Sequence, residues 1–541
     1  VTETTLEASV REVWTEVLGV ADVDATTPFF ELGGDSVGAM QVVSRLRARY
    51  GALSMRTFMA APTIAGLIAF LDGATPRKRT PVRQAPVAVN EVARYPLSRA
   101  QRQMWDIANH LPDVPLFVVA GALRVDGPLD VAVLQRTFTE LTMRHEALRA
   151  RFEDTGDGPV QVVEPQGTVT VEVEDLTDEE RPERRCEKLM GAATREALPV
   201  DTAPLLRVVV YRLADDRHVL FFNAHHIVCD GQSLAVLQSD VARLYREIAG
   251  GAPAPRPVPI GSGRLARDRA DWLTTDDAAR QREFWLDKLA APWPTLADGP
   301  GSRFAGAGEA SLAQRMRSAT TSAKLSADDM ALVRAAARKH GMTEFMVVLA
   351  GYAATLGEWS GQDDIRVATM LANRAEPGMA EVVGLVTNAV VLRMRLDTKD
   401  PVAIGTQARD VCADAFEHQQ LPYEEVLAEL NDRHPKAGPV FEAMLVAEKE
   451  IDAVTPDDGL VFAPYESDRN VLGGQVAANG SGFVLDVLPI GDESLCTLRF
   501  KPATTSRELA AELLDAIVAA VRATATALTE AGTLMHAGDR S

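Results

Sequence analysis

Helical spacing governs the start of the chain. In LEASVREVWTEVLG the apolar residues Leu6, Val10, Val13, Trp14 and Val17 fall on one face of a helix. SVGAMQVVSRLRARYG repeats the pattern and is closed by Gly51. TIAGLIAFLDG predicts a further helix, with Thr63 as its N-cap and Gly73 as its stop. These stretches predict a small all-α bundle over residues 1–75, near the lower size limit for a single core. Residues 76–94 carry three prolines and a basic cluster without periodicity, which is linker composition.

From Tyr95 the pattern becomes mixed. LFVVAGALRVDGPLD predicts a strand and a turn, followed by the helix VAVLQRTFTELTMRHEAL. LLRVVVYRL and HVLFFNAHHIV flank the polar turn ADDR, a β-hairpin signal, and a helix follows at SLAVLQSDVARLYREIAGG. Further on, SADDMALVRAAARKHG, TEFMVVLAGYAATLGEWSG and DPVAIGTQARDVCADAFEHQQ are predicted helices, with DDIRVATML and LVTNAVVLRMRL as strands. GFVLDVLP and SLCTLRF are predicted to pair before a last helix, SRELAAELLDAIVAAVRATATAL. This α/β region is too long for one core, so two lobes are expected, over residues 95–270 and 271–535, with no exact repeat between them.

Composition narrows the partners. Hydrophobic residues make up 46% and charged residues 24% of the 541, an ordinary globular balance. The 76 acidic against 56 basic residues leave a net charge of −20, which argues against nucleic acid and against anionic membranes. No apolar run approaches the roughly 18 residues of a membrane span, and no signal peptide is visible, so a cytoplasmic monomer is expected. Cys186, Cys229, Cys412 and Cys496 are too scattered for a zinc motif or a disulfide scaffold. Residues 76–94 run against the overall charge, five basic to one acidic, and suggest a loose contact with an acidic neighbour that salt should weaken.

Two clusters carry candidate chemistry. In PFFELGGDSVGAM, Gly33 and Gly34 allow a tight approach to a helix beginning near Ser36, whose hydroxyl sits where free backbone N–H groups point outward. That position suits a covalently attached phosphate, and equally suits Asp35 or Ser36 as a plain N-cap. In HVLFFNAHHIVCDGQS a His pair ends an apolar strand, and alternation sends one ring into the core and the other away from it. A neutral imidazole can accept a proton, or hold an attacking amine, near pH 7. Asp230 could steady the loop or the ring, and Gly231 would permit the turn. A satisfied pair of core histidines, or a zinc site on His225, His226 and Asp230, are the plainer alternatives.

The wider stretches resemble known families. Phe29, Phe30, Gly33, Gly34, Asp35, Ser36 and Val37 are similar to the core of the thiolation, or peptidyl carrier, domain of non-ribosomal peptide synthetases. The resemblance implies a four-helix carrier bundle with 4′-phosphopantetheine on Ser36. HHIVCDG fits the HHxxxDG signature of the condensation domain. Its companion motifs occur in order: Ser98, Ala100, Gln101 and Trp105; Arg144, His145, Glu146, Leu148, Arg149 and Phe152; Gly384, Val386 and Asn388; His418, Gln419, Pro422 and Glu424. This resemblance implies a V-shaped pair of chloramphenicol-acetyltransferase-like lobes around a tunnel with His226 at its centre. Asp230 is then structural and paired with an arginine, for which Arg374 is the candidate and Arg366 the rival.

The implied function is peptide-bond formation between a donor thioester on the carrier and the amine of an acceptor on a downstream carrier. An upstream adenylation domain and a phosphopantetheinyl transferase are further implied partners. Departures from the pattern are Gln103, Gln232, Leu385 and Thr387, and RLARDRADWL is a weak match to another family motif. Epimerisation of the carrier-bound residue and a non-catalytic recruitment platform are the alternatives. The first lacks its EGHGRE-type segment here, and the second has usually lost the second His or the final Gly, both intact. An L-configured or glycyl donor terminus is expected.

Overall fold

The computed structural model of the chain describes residues 6–20, 23–51, 53–72, 74, 91–111, 117–251, 256, 258–304, 317–376, 378–435, 437–447, 459–465 and 482–532. The first unit contains α1 (Leu6–Leu18), α2 (Ser36–Tyr50), α3 (Met55–Ala60) and α4 (Ile64–Leu71). The apolar face read from α1 is the buried one: Val10, Val13 and Trp14 are fully covered. The Trp14 ring meets Phe29 edge-on at 5.1 Å, and Phe29 meets Phe58 of α3 at 5.3 Å. Thr63 caps α4 by accepting from the Gly66 N–H, whereas the Gly73 stop lies outside the described residues. Six residues are too few to show a helical period, which hides α3 in the pattern. The loose contact expected of the basic tether falls on residues 76–90, outside those described; at its end, Arg94 lies 3.6 Å from Glu153.

The next lobe runs through β1 (Ala93–Pro96), α5 (Arg99–His110), β2 (Val118–Asp126), α6 (Val131–Arg144), β3 (Ala150–Asp154), β4 (Pro159–Val163), β5 (Val171–Asp175), α7 (Pro182–Ala193), β6 (Leu206–Ala214), β7 (Arg217–His225) and α8 (Gly231–Ala249). The expected hairpin is β6–β7, antiparallel from Leu206↔Ala224 to Ala214↔Arg217. β7 reads HVLFFNAH without alternation because both of its faces are covered. One apolar cluster unites it with α6 and α8, and a second unites it with α7. The polar helices α9 (Ser262–Trp272) and α10 (Asp276–Lys288) follow.

The last lobe holds β8 (Ala319–Leu325), α11 (Ala327–Lys339), α12 (Glu344–Ser360), β9 (Asp364–Leu371), β10 (Asn388–Arg395), α13 (Pro401–Glu417), α14 (Tyr423–Arg433), β11 (Ala443–Ala447), β12 (Val461–Pro464), β13 (Phe483–Ile490), β14 (Glu493–Phe500) and α15 (Arg507–Glu530). Its six-stranded sheet has the order β10-β9-β11-β13-β14-β8. α12 is apolar all round and sits centrally. A Cβ on its Gly351 would come within 2.7 Å of the Val521 backbone nitrogen in α15, so glycine sets that helix crossing.

One strand departs from the expected division. β12 leaves the last lobe and completes the five-stranded sheet β12-β2-β7-β6-β5 of the other, with Phe462 opposite Val125. The Phe462 ring lies 5.7 Å from that of Tyr245 and is almost fully buried. The lobes are therefore tied by a strand exchange. Among the described residues no helix is long and apolar enough to cross a membrane. Phe462→Ala is expected to cost about 3–5 kcal/mol, read as a lower midpoint in urea denaturation.

Candidate functional site

The His pair sits where β7 ends. The His226 N–H donates to the Phe117 carbonyl at 2.6 Å. Phe117 holds a left-handed backbone (φ 61°), which costs a bulky residue about 1–3 kcal/mol and clusters at functional sites. Below the pair, Gln101 Nε2 donates to the Ile227 carbonyl at 3.2 Å, and Gln101 is itself fixed by a capping box with Ser98. The opening motif thus supports the loop that carries the histidines.

The two rings differ, but not through strand alternation: β7 ends at His225, and His226 lies in the turn that follows. His225 is buried, and its Nδ1 accepts from the Ile227 N–H at 3.1 Å. Burial, and then the neighbouring His226, push its pKa down to about 3, so it is a neutral structural ring. His226 keeps partial exposure, while its Nδ1 is buried without a hydrogen-bond partner. Burial lowers its pKa below the ordinary 6.5, against a smaller upward pull from Asp230. This ring is also neutral at pH 7: the Asp230 carboxylate favours its charged form only weakly against burial, and among the described residues no carboxylate is hydrogen-bonded to it to fix its tautomer.

Asp230 is committed elsewhere. Its Oδ1 accepts from Arg374 Nη2 at 2.9 Å and from the Ser233 N–H at 2.8 Å, capping α8. Its Oδ2 accepts from Arg374 Nη1 at 3.1 Å and from the backbone N–H groups of Val386 and Thr387 at 2.9 and 3.0 Å. Burial pushes this carboxyl up, but the charge of Arg374 and the hydrogen bonds from Arg374, Val386 and Ser233 outweigh it and hold the pKa below the ordinary value. Arg366 instead lies 3.6 Å from Asp364 and donates to the Pro294 carbonyl. Gly231 needs correction: its φ is not left-handed and a Cβ there would meet nothing within 4 Å. The turn is made by the extended backbone of Asp230 (φ −102°, ψ 178°).

The companion motifs brace this centre. Arg144 bridges Asp240 at 3.2 Å and Glu381 at 2.6 Å, and His145 Nε2 meets Asp240 at 2.8 Å. Glu146 accepts from the Gly263 N–H at 2.7 Å. Asn388 donates to the carbonyls of Gln419 and Leu421 and accepts from the Tyr423 N–H, pinning the HQQLP loop. The departure at Thr387 is tolerable because this residue binds Asp230 through its backbone N–H. Gln103 and Gln232 are exposed. Cys229 beside the site is buried, which pushes its thiol far above the ordinary value, so it is no thiolate nucleophile. Among the described residues no group of three His, Cys, Asp or Glu side chains is placed to hold a metal ion.

In the helical unit, a Cβ at Gly34 would come within 2.2 Å of the Phe29 ring, so only glycine allows this approach. Asp35 caps α2 by accepting from the Gly38 N–H at 2.7 Å, which leaves Ser36 as the first residue of the helix, half-buried. A capped, rigid helix start with a hydroxyl at its mouth fits the attachment of a phosphoryl group. The unit rests on the last lobe, where its apolar core is continuous with that of the lobe. Arg47 pairs with Glu417 at 2.7 Å, Arg56 with Asp414 at 2.5 Å, and the Met55 N–H donates to Glu417 at 2.7 Å. Ser36 Oγ itself donates to Thr343 Oγ1 at 3.0 Å. These pairings join residues more than 300 positions apart, and no local pattern announces them.

Comparison with known proteins agrees with this geometry. The family model described as "Condensation domain" matches residues 92–459, and that described as "Phosphopantetheine attachment site" matches residues 8–71. Tyrocidine synthase 2 of Brevibacillus parabrevis is 30% identical over 482 residues, covering 86% of this chain and 12% of that protein. Bacitracin synthase 3 of Bacillus licheniformis is 26% identical over 468 residues, covering 86% and 7%. The chain thus spans only a small part of these curated relatives. Among solved structures, the first condensation domain of the calcium-dependent antibiotic synthetase aligns with TM-score 0.66 at 20% identity, covering 82% of this chain and 99% of that one. The condensation domain of the monacolin K polyketide synthase MokA aligns with TM-score 0.68 at 19% identity, covering 81% and 98%. At such identity these two show the fold alone. With its family model spanning most of the chain and centred on the Asp230-clamped histidine loop, the protein belongs to the condensation domain family, here preceded by a phosphopantetheine attachment domain.

Proposed function

We propose that the chain forms a peptide bond in non-ribosomal peptide synthesis, with the donor aminoacyl or peptidyl group attached through Ser36. The observation that carries this reading is that the attachment serine and the Asp230-anchored loop bearing His226 belong to one chain, with Ser36 seated against the last lobe. The 4′-phosphopantetheine on Ser36 supplies a flexible arm whose thiol holds the donor as a thioester. The acceptor amine comes from an aminoacyl group on a downstream carrier. Its nitrogen forms the C–N bond with the donor carbonyl as the C–S bond breaks; the amine loses one proton and the departing sulfur gains one. An upstream adenylation domain to load Ser36 and a phosphopantetheinyl transferase complete the set of partners. The donor terminus is L-configured or glycyl.

His226 contributes chiefly as a neutral acceptor that orients the attacking amine. A ring whose pKa is lowered by burial holds a proton poorly, and the opposing pull of Asp230 is the smaller effect. Fixing an amine at attack distance can by itself supply much of the rate. His225 and Asp230 act behind it, as the buried partner ring and as the loop anchor. His226→Ala is expected to lower dipeptidyl-thioester formation by about a hundredfold or more while leaving the loading of Ser36 intact. Rapid-quench assays with loaded donor and acceptor carriers check this, and an unchanged rate removes the ring from the reaction. Treatment with a phosphopantetheinyl transferase should add the mass of the arm to the wild-type chain and not to Ser36→Ala. A mass gain retained in that variant would overturn the attachment site.

A further inference from the structure

The docked carrier presents a chemical puzzle at Ser36. Its hydroxyl donates to Thr343 Oγ1 at 3.0 Å. Thr343 is only 5% exposed and immediately precedes α12. Esterification of Ser36 removes the proton of that hydrogen bond. A threonine hydroxyl both accepts and donates, so Thr343 can reverse and donate to an oxygen of the attached phosphodiester. A bond to a charged acceptor is roughly twice as strong as the neutral one it replaces.

Charges of both signs surround this contact. Across this contact Asp35 of the carrier raises the pKa of Glu344, the residue after Thr343, adding to the larger effect of burial. Arg334 and Arg338, four apart on α11, pull it back down, and neither forms a salt bridge among the described residues. Two arginines therefore act on Glu344, the immediate neighbour of Thr343, without a salt bridge to hold them there. Their fork of donors suits phosphate oxygens.

We propose that Thr343, with Arg334 and Arg338 behind it, is the seat for the phosphodiester on Ser36, so that the modified carrier docks more tightly on the condensation lobe than the unmodified one. This rests on the reading that Ser36 carries the arm. Modification thereby acts as a docking signal as well as a tether, and the bare carrier is released more readily to meet the transferase that loads it.

The test uses the full chain, unmodified and phosphopantetheinylated, with fluorescent labels on the carrier and on the last lobe reporting the docked fraction. Modification is expected to raise the docking constant about fivefold in the wild type. Thr343→Ser, which keeps the hydroxyl, should retain that gain, whereas Thr343→Val and the double variant Arg334→Gln/Arg338→Gln should lose most of it. Circular dichroism confirms that each variant folds. A chain that gains the mass of the arm on Ser36 yet docks no tighter overturns the seat alone, as does a Thr343→Val chain with the full gain. Absence of any mass gain on Ser36 overturns the attachment reading and the seat with it.

Discussion

A single buried carboxylate, that of Asp230, connects the parts of this protein. It begins α8 in one lobe and receives both terminal nitrogens of the Arg374 guanidinium and the backbone N–H groups of Val386 and Thr387 in the other. A buried charge is tolerable only when its acceptor sites are filled, and here both oxygens accept several donors. Because the donors come from the far lobe, satisfying Asp230 also fixes how the lobes meet. Arg144–Glu381 and the exchanged strand β12 reinforce the same junction.

This commitment shapes the chemistry beside it. An aspartate turned toward His226 would hold its tautomer and raise its pKa, as in a hydrolytic triad. Turned toward Arg374, Asp230 leaves the ring neutral, partly exposed and weakly basic. Such a site suits a nucleophile that already has a lone pair, such as an amine, and a donor that is already an activated thioester. The strained Phe117 and the buried His225 hold the loop from behind, so the position of the ring is set largely by backbone contacts.

The sequence makes the chemistry more legible than the architecture. Ser36 and the His pair stand in short motifs that the resemblance singles out without a fold, whereas their residue types alone leave a plain N-cap and a satisfied core pair open. Arg374 is legible as a candidate only through the resemblance, which implies an arginine partner for Asp230. Val386 and Thr387 serve Asp230 through their N–H groups, and a backbone donor leaves no signature in residue type. β12 has four residues and its destination depends on a partner more than 300 positions away. α9 and α10 are rich in charge and arginine, so hydropathy passes over them. The docking pairs Arg47–Glu417 and Arg56–Asp414 are ordinary surface charges until the fold brings them together.

Asp230 acts through Arg374 to join the lobes, and not as an acid partner of His226. A double-mutant cycle in chemical denaturation tests this most directly, with Asp230→Ala, Arg374→Ala and the double variant measured beside the wild type. Each single change leaves a buried partner unpaired and should cost about 3–5 kcal/mol, with the double variant costing far less than the sum. Single effects below about 1 kcal/mol, or strictly additive ones, would contradict it.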